Sequence, residues 1–124
     1  MRELLRRHTV SFKNAFAGIV WALQTQPNFR IHVTLSLIAI LLGLWLGITF
    51  LEMTVIVFTI ILGLSSEMIN TAIEAMTDLI TTEYHKEAKI AKDVAAGMML
   101  MTAIGAVLIA CFVYGPYLWR LRSF

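Results

Sequence analysis

Residues 53–80, MTVIVFTIILGLSSEMINTAIEAMTDLI, decide how this chain is built. The first half, Met53 to Leu64, is an apolar run, and the second half continues with helix-compatible residues to Ile80 while adding Glu67, Asn70, Glu74 and Asp78. No loop signal divides the halves, so the pattern predicts one long helix, apolar at its start and acidic toward its end. At 100° per residue the four polar side chains fall within an arc of roughly 80° and extend along roughly 16 Å of the axis. They share one face.

Working outward, Thr49 and Glu52 have the spacing of a capping box, with an apolar run directly behind, so a very short turn is expected just before the long helix. Upstream of the turn, the run from Ile31 to Leu51 is long enough to cross a bilayer core. Pro27 interrupts the chain before it, and Asn28 to His32 reads as a polar hinge. From Met1 to Gln26, Leu4, Leu5, Phe12, Phe16, Ile19, Val20 and Leu23 recur at near-helical spacing among Arg2, Arg6, Arg7 and Lys13. That is the pattern of a basic amphipathic helix lying in a membrane interface.

Downstream, Thr81 to Asp93 is a charged connection. A third apolar run then extends from Val94 to Tyr117 and is expected to end at Gly115 and Pro116, with Tyr114, Tyr117 and Trp119 as interfacial aromatics. The expected architecture is an all-α membrane protein with one domain over residues 1–124: a surface helix at about 1–26 and spans at about 31–51, 53–80 and 93–117.

Composition agrees. Hydrophobic residues make up 59% of the 124, and the mean hydropathy is +0.79, well above an ordinary soluble domain. The length leaves no room for a separate soluble module, so any chemistry sits at the membrane. The net charge is only +2, and no basic stripe interleaves with aromatics, which argues against nucleic-acid binding. The single Cys111 excludes an intramolecular disulfide and lies in an apolar run, where it reads as a packing or lipid-facing residue. Met98, Met99 and Met101 read as apolar filler, and His8 as an interfacial polar residue. The broken, mixed-polarity N-terminus does not resemble a cleaved leader. The positive-inside rule puts the N-terminal segment and the Lys86 to Lys92 connection in the cytoplasm and the Gly47 to Glu52 turn outside, although Arg120 and Arg122 weigh mildly against this. Gly43 and Gly47 form a GxxxG, a candidate close helix contact.

Ionisable groups inside a span cost roughly 2.5–3.5 kcal/mol each on insertion scales, so Glu67, Glu74 and Asp78 on one face need a compensating role. Carboxylates suit two jobs: accepting a proton from an alcohol, and holding Mg²⁺, which commonly bridges a carboxylate to phosphate oxygens. Phosphoryl transfer uses both. The connection adds Glu83, Tyr84, His85, Lys89, Lys92 and Asp93; a lysine there suits phosphates, and Asp93 suits either a helix cap or a cofactor ligand. No GxxxxGK[ST] and no kinase glycine loop is present, so a nucleotide site must be built from separate helices. On residue types alone, a non-enzymatic membrane protein using the acidic face as a proton or cation relay stays open.

The segments Glu67-Met-Ile-Asn-Thr-Ala-Ile-Glu74-Ala-Met-Thr-Asp78, Glu83-Tyr-His85 and Ala91-Lys-Asp93 closely resemble the bacterial integral-membrane diacylglycerol kinase and undecaprenol kinase family. The resemblance covers nearly the whole chain. Phe12-Lys-Asn-Ala-Phe16 and Asn28-Phe-Arg-Ile-His32 look more like the undecaprenol-kinase branch.

The resemblance implies a homotrimer of three-span protomers in the bacterial inner membrane, with active sites shared between neighbours on the cytoplasmic side. It implies ATP as phosphoryl donor, Mg²⁺ as cofactor and a membrane lipid alcohol as acceptor. By matched position, Glu67 would be the general base at the lipid hydroxyl and Glu74 would hold Mg²⁺ beside ATP, with Asn70 and Asp78 in support. Arg7, Asn14, Glu74, Glu83, Tyr84, His85, Lys92 and Asp93 fall at nucleotide contacts, and Ala96 where the lipid hydroxyl end lies. One position departs from the family. Gln26 stands where a second metal-binding glutamate is usual, which leaves open a weaker second metal or a degenerate member acting as a structural partner.

Overall fold

A computed structural model describes residues 2–122, with side chains from Ser11 onward. Four helices follow in order: α1 (Arg2–Thr25), α2 (Pro27–Leu46), α3 (Phe50–Ile80) and α4 (Lys86–Arg122). No strand occurs among the described residues. Helices α2, α3 and α4 are each long and apolar enough to cross a membrane. The all-α expectation with three candidate spans holds, and the boundaries shift in several places.

The hinge between α1 and α2 is a single residue. Gln26 takes an extended conformation (φ −101°, ψ 106°), and Asn28 to His32 belongs to α2. Pro27 explains this: at the first helical position its missing N–H is no loss and its fixed φ starts the helix. At the other end, α2 stops at Leu46 rather than Leu51 because Gly47 turns left-handed (φ 65°). Ile48 N–H donates to Gly43 O at 3.1 Å and Gly47 N–H to Leu44 O at 3.3 Å, a Schellman closure. Gly47 is thus a cap, and of the GxxxG pair it is Gly43 that meets a neighbouring helix, at Met53 of α3. Gly43 is small because Ile48 and Met53 fold over it; a Cβ there would lie 2.9 Å from the tips of both side chains.

The predicted capping box is present. Thr49 Oγ1 accepts from Glu52 N–H, while Thr49 N–H donates to Glu52 Oε2 at 2.8 Å. That carboxylate also accepts from Tyr117 Oη at 2.7 Å, so the turn is tied to the far end of α4. The tie bears on a further shift: α4 continues through Pro116 to Arg122. Proline occurs in membrane-spanning helices where the surroundings support the backbone around it, and here the next residue, Tyr117, is tied to Glu52 of α3. At its other end α4 starts at Lys86, so most of the charged connection is helix and only Thr81–His85 is loop.

Helix α4 packs mainly on α3, and α2 on α3. The core lies near the turn: Ile56, Val113 and Tyr114 are buried, with Leu42, Leu46, Ile60 and Ile109 packed around them. Tyr114 Oη donates to Ala39 O of α2 at 2.8 Å, crossing the bundle. Hydroxyls along the spans are satisfied locally, as with Thr54 on Phe50 O and Thr59 on Val55 O. At most 17% of the most apolar window of any span is buried, so the outer faces require lipid or further protein.

Tyr114→Phe keeps the packing and removes the cross-bundle bond. Interhelical bonds in membranes contribute about 0.6 kcal/mol on average and up to about 1.7. Unfolding of the detergent-solubilised variant is expected to show a loss in that range, with Tyr114→Ala losing several times more.

Candidate active site

The unbroken run of α3 carries the acidic face from the packed turn to the loose end of the bundle. Glu67 and Asn70 are buried, at 4% and 8% exposure, while Glu74 and Asp78 are exposed. Asn70 Nδ2 donates to Glu74 Oε1 at 3.0 Å, one turn along the same face. This fixes one carboxylate oxygen of Glu74. Asn70 Oδ1 is buried and accepts no hydrogen bond within the chain. Buried polar atoms nearly always find partners, so an orphan acceptor between two glutamates marks a place for a donor from outside the chain. Deeper in the bundle, Ser66 and Thr102 are hydrogen-bonded at 3.2 Å and hold α3 to α4 beside Glu67.

His32, which the sequence presents as the end of the surface segment, lies inside α2 and is half-buried. It is within electrostatic reach of Glu67, as is Glu74. With Ser36, Ala39, Gly63, Ala103 and Tyr114 it lines a mainly apolar cavity of about 330 Å³ between α2, α3 and α4. A space of this chemistry suits a hydrocarbon chain.

Beyond the exposed end of the acidic face, a second cavity of about 240 Å³ gathers Asp78 of α3, Glu83, Tyr84 and His85 of the loop, and Lys92 and Asp93 of α4. Five residues expected at the nucleotide therefore share one cavity wall. Asp93 does not cap α4; it sits two turns inside the helix and accepts from Lys89. Lys92 Nζ donates to Asp78 Oδ1 at 2.5 Å, joining α4 to α3. A third cavity, lined by Thr77, Thr81, His85 and Ala91, adjoins at His85.

Glu67, Asn70 and Glu74 on α3, Asn14 on α1, Gln26 between α1 and α2, and Ala96 on α4 line neither the apolar cavity nor the one at Lys92. The Arg7 and His8 side chains lie outside the described residues. Sequence reasoning missed His32 as part of the site and the pairing of Lys92 with Asp78. The first had a signal: His32 follows buried Phe29 by three residues and precedes half-buried Ser36 by four, so it falls on the inward face of α2.

No group of three or more His, Cys, Asp or Glu is arranged to hold a metal among the described residues. Mg²⁺ seldom uses an all-protein cage, and is usually held by one or two carboxylates together with substrate phosphates. Glu74, oriented by Asn70 and open to solvent, fits that mode.

Residues 13–114 match the family described as prokaryotic diacylglycerol kinase. A diacylglycerol kinase of Synechocystis sp. is 40% identical over 111 residues, which are 88% of this chain and 63% of the relative, so the chain spans less than two thirds of that protein. An undecaprenol kinase of Bacillus subtilis is 36% identical over 94% of this chain and 95% of its own length. A diacylglycerol kinase of Escherichia coli is 28% identical over 80% of this chain and 81% of its own. These relatives bear out the expectation of a lipid kinase and do not favour the relay. With a family match across most of its length and a relative matched nearly end to end, the chain belongs to the prokaryotic diacylglycerol kinase family.

Proposed function

We propose that this chain transfers the γ-phosphoryl group of ATP to the hydroxyl of a membrane lipid alcohol, with undecaprenol as first substrate and diacylglycerol as second. The observation that carries the reading is the position of buried Glu67 along α3: it follows Gly63 and Leu64, which line an apolar cavity suited to a lipid chain, and precedes Asp78, which lines a polar cavity with Lys92 suited to phosphates. The preference for undecaprenol rests on Phe12 to Phe16 and Asn28 to His32, and on the nearly end-to-end likeness to the Bacillus subtilis protein.

In this reading the lipid chain occupies the apolar cavity and its hydroxyl reaches Glu67. The carboxylate accepts the hydroxyl proton as the new oxygen–phosphorus bond forms and the bond to the β-phosphate oxygen breaks, releasing ADP. An alcohol is a poor acid in the ground state, so a base is needed only as that bond develops. Glu74, held by Asn70, would ligate the Mg²⁺ that comes with the nucleotide, whose charge offsets that of the β- and γ-phosphates. Gln26, a neutral amide, would bind a second metal more weakly than a glutamate. Lys92 meets the phosphates, and Glu83, Tyr84, His85 and Asp93 surround the rest of the nucleotide. Arg7 and Asn14 of α1, at the nucleotide, and Ala96 of α4, at the lipid hydroxyl end, are assigned to the site by matched position in the family alone.

The assembly would be a homotrimer in the bacterial plasma membrane, formed from the single domain of residues 1–124, with sites shared between neighbours. Lys86, Lys89 and Lys92 favour a cytoplasmic site and an external turn at Gly47 to Glu52.

Purified protein in mixed micelles, given ATP labelled at the γ-phosphate and either lipid, should label undecaprenol more than diacylglycerol. Glu67→Gln should lower turnover by about 10²-fold or more, the range of a lost general base, with oligomer size unchanged. Absence of label in both lipids, with ion flux through reconstituted vesicles, would favour the relay instead.

Gln26→Glu tests the departure from the family. A carboxylate there should lower the Mg²⁺ concentration for half-maximal activity. Activity in the variant against none in the parent would identify a degenerate partner.

A further inference from the structure

We infer that Asp78 is a positioning residue: its bond to Lys92 sets the lysine ammonium over the phosphate site, an inference that rests on the kinase reading above. The two residues lie on different helices, on either side of the Thr81–His85 loop, and line the same cavity. Among the described residues this is the ion pair that joins two helices; the other, Lys89 with Asp93, lies within one turn of α4.

The pair is not placed to stabilise the fold. The Lys92 and Asp78 side chains are 38% and 61% exposed, and ion pairs so open to water contribute little to stability. Their geometry points to another use. An ammonium has three donors, and Asp78 takes one, leaving two for phosphate oxygens. Lysine is a point charge on a flexible four-carbon stem, so its aim has to come from a partner.

Asp78 is well placed to supply that aim because it stands one turn beyond Glu74 on the same face of α3. Tying Lys92 to it fixes the cation relative to the carboxylate expected to hold the metal, so the phosphates meet both charges in one register. The other charged groups around the cavity are Lys89, Asp93, Glu83 and His85. Lys89 is occupied by Asp93. Without Asp78, Lys92 would be free to turn toward Asp93 or Glu83, away from the acidic face.

A double-mutant cycle on the lipid-embedded protein tests this. Asp78→Asn is expected to lower kcat/KM for ATP by about tenfold or more, the scale of a misplaced catalytic contact. The KM for lipid and the Mg²⁺ concentration for half activation should stay as in the parent, and Asp78→Glu should recover part of the loss. In a Lys92→Met background, Asp78→Asn should add no further loss, because its effect passes through the lysine. Acylation of amines, read by mass spectrometry, should label Lys92 faster in Asp78→Asn than in the parent.

Losses that multiply across the cycle, or a shifted Mg²⁺ requirement, would make Asp78 an independent ligand and overturn the inference. So would full activity in Asp78→Asn with an active parent. A parent with no lipid-dependent turnover would overturn the kinase reading itself, which is a separate result.

Discussion

A carboxylate buried in a membrane span is the constraint around which this chain is arranged. Glu67 is nearly inaccessible, and a charge in that position has no water to solvate it. The charged residues of α3's second half are therefore not scattered: Glu67, Glu74 and Asp78 keep to one face with Asn70. His32 approaches from α2, Ser66 and Thr102 bond beside it, and Asn70 links the buried glutamate's neighbourhood to the exposed one. Elsewhere along the spans, the hydroxyls of Thr54, Thr59 and Thr34 fold back on their own helices.

The two ends of the bundle divide the work. At the turn, three devices lock the helices: the Schellman closure at Gly47, the capping box of Thr49 and Glu52, and the bond from Tyr117 to the same Glu52. The buried core of Ile56, Val113 and Tyr114 lies at this end. At the opposite end α3 and α4 are joined by the Thr81–His85 loop, and cavities replace core. A rigid far end lets the near end stay open without loss of register. A site that must admit a large polar ligand beside a lipid bilayer needs that combination.

How much of this was legible in the sequence follows from which interactions are local. The capping box, the amphipathic start and the single long α3 are set by neighbours in the chain, and their residues announce them. The acidic face was legible too, because helix periodicity alone aligns residues 67, 70, 74 and 78. The boundaries were less so. Pro27 and Pro116 are the same residue type with opposite outcomes: one starts a helix and the other is carried inside one, next to a Tyr117 whose partner lies 65 residues away. Apolar length suggests a span reaching Leu51, but the left-handed Gly47 ends α2 at Leu46. Contacts between helices were hidden for the same reason. Nothing near Lys92 in sequence points to Asp78, and His32 acquires its meaning only when α2 is laid against α3.

What remains open on the surface of one chain bears on how the site is completed. Glu67 is buried among its own helices, yet Glu74 and Asp78 are exposed, and charged side chains line the cavity at the loop. The chain also leaves most of its apolar span surface uncovered. Lipid alone would satisfy the apolar faces but not Asn70 Oδ1, which is buried and lacks a donor. A water, a bound hydroxyl or a group from another copy of the chain would each satisfy it, standing beside the Glu74 to which Asn70 is bonded. Carboxylates on a span are costly wherever they lack opposite charges or donors, so the acidic face of α3 is best tolerated where cations or donors stand against it.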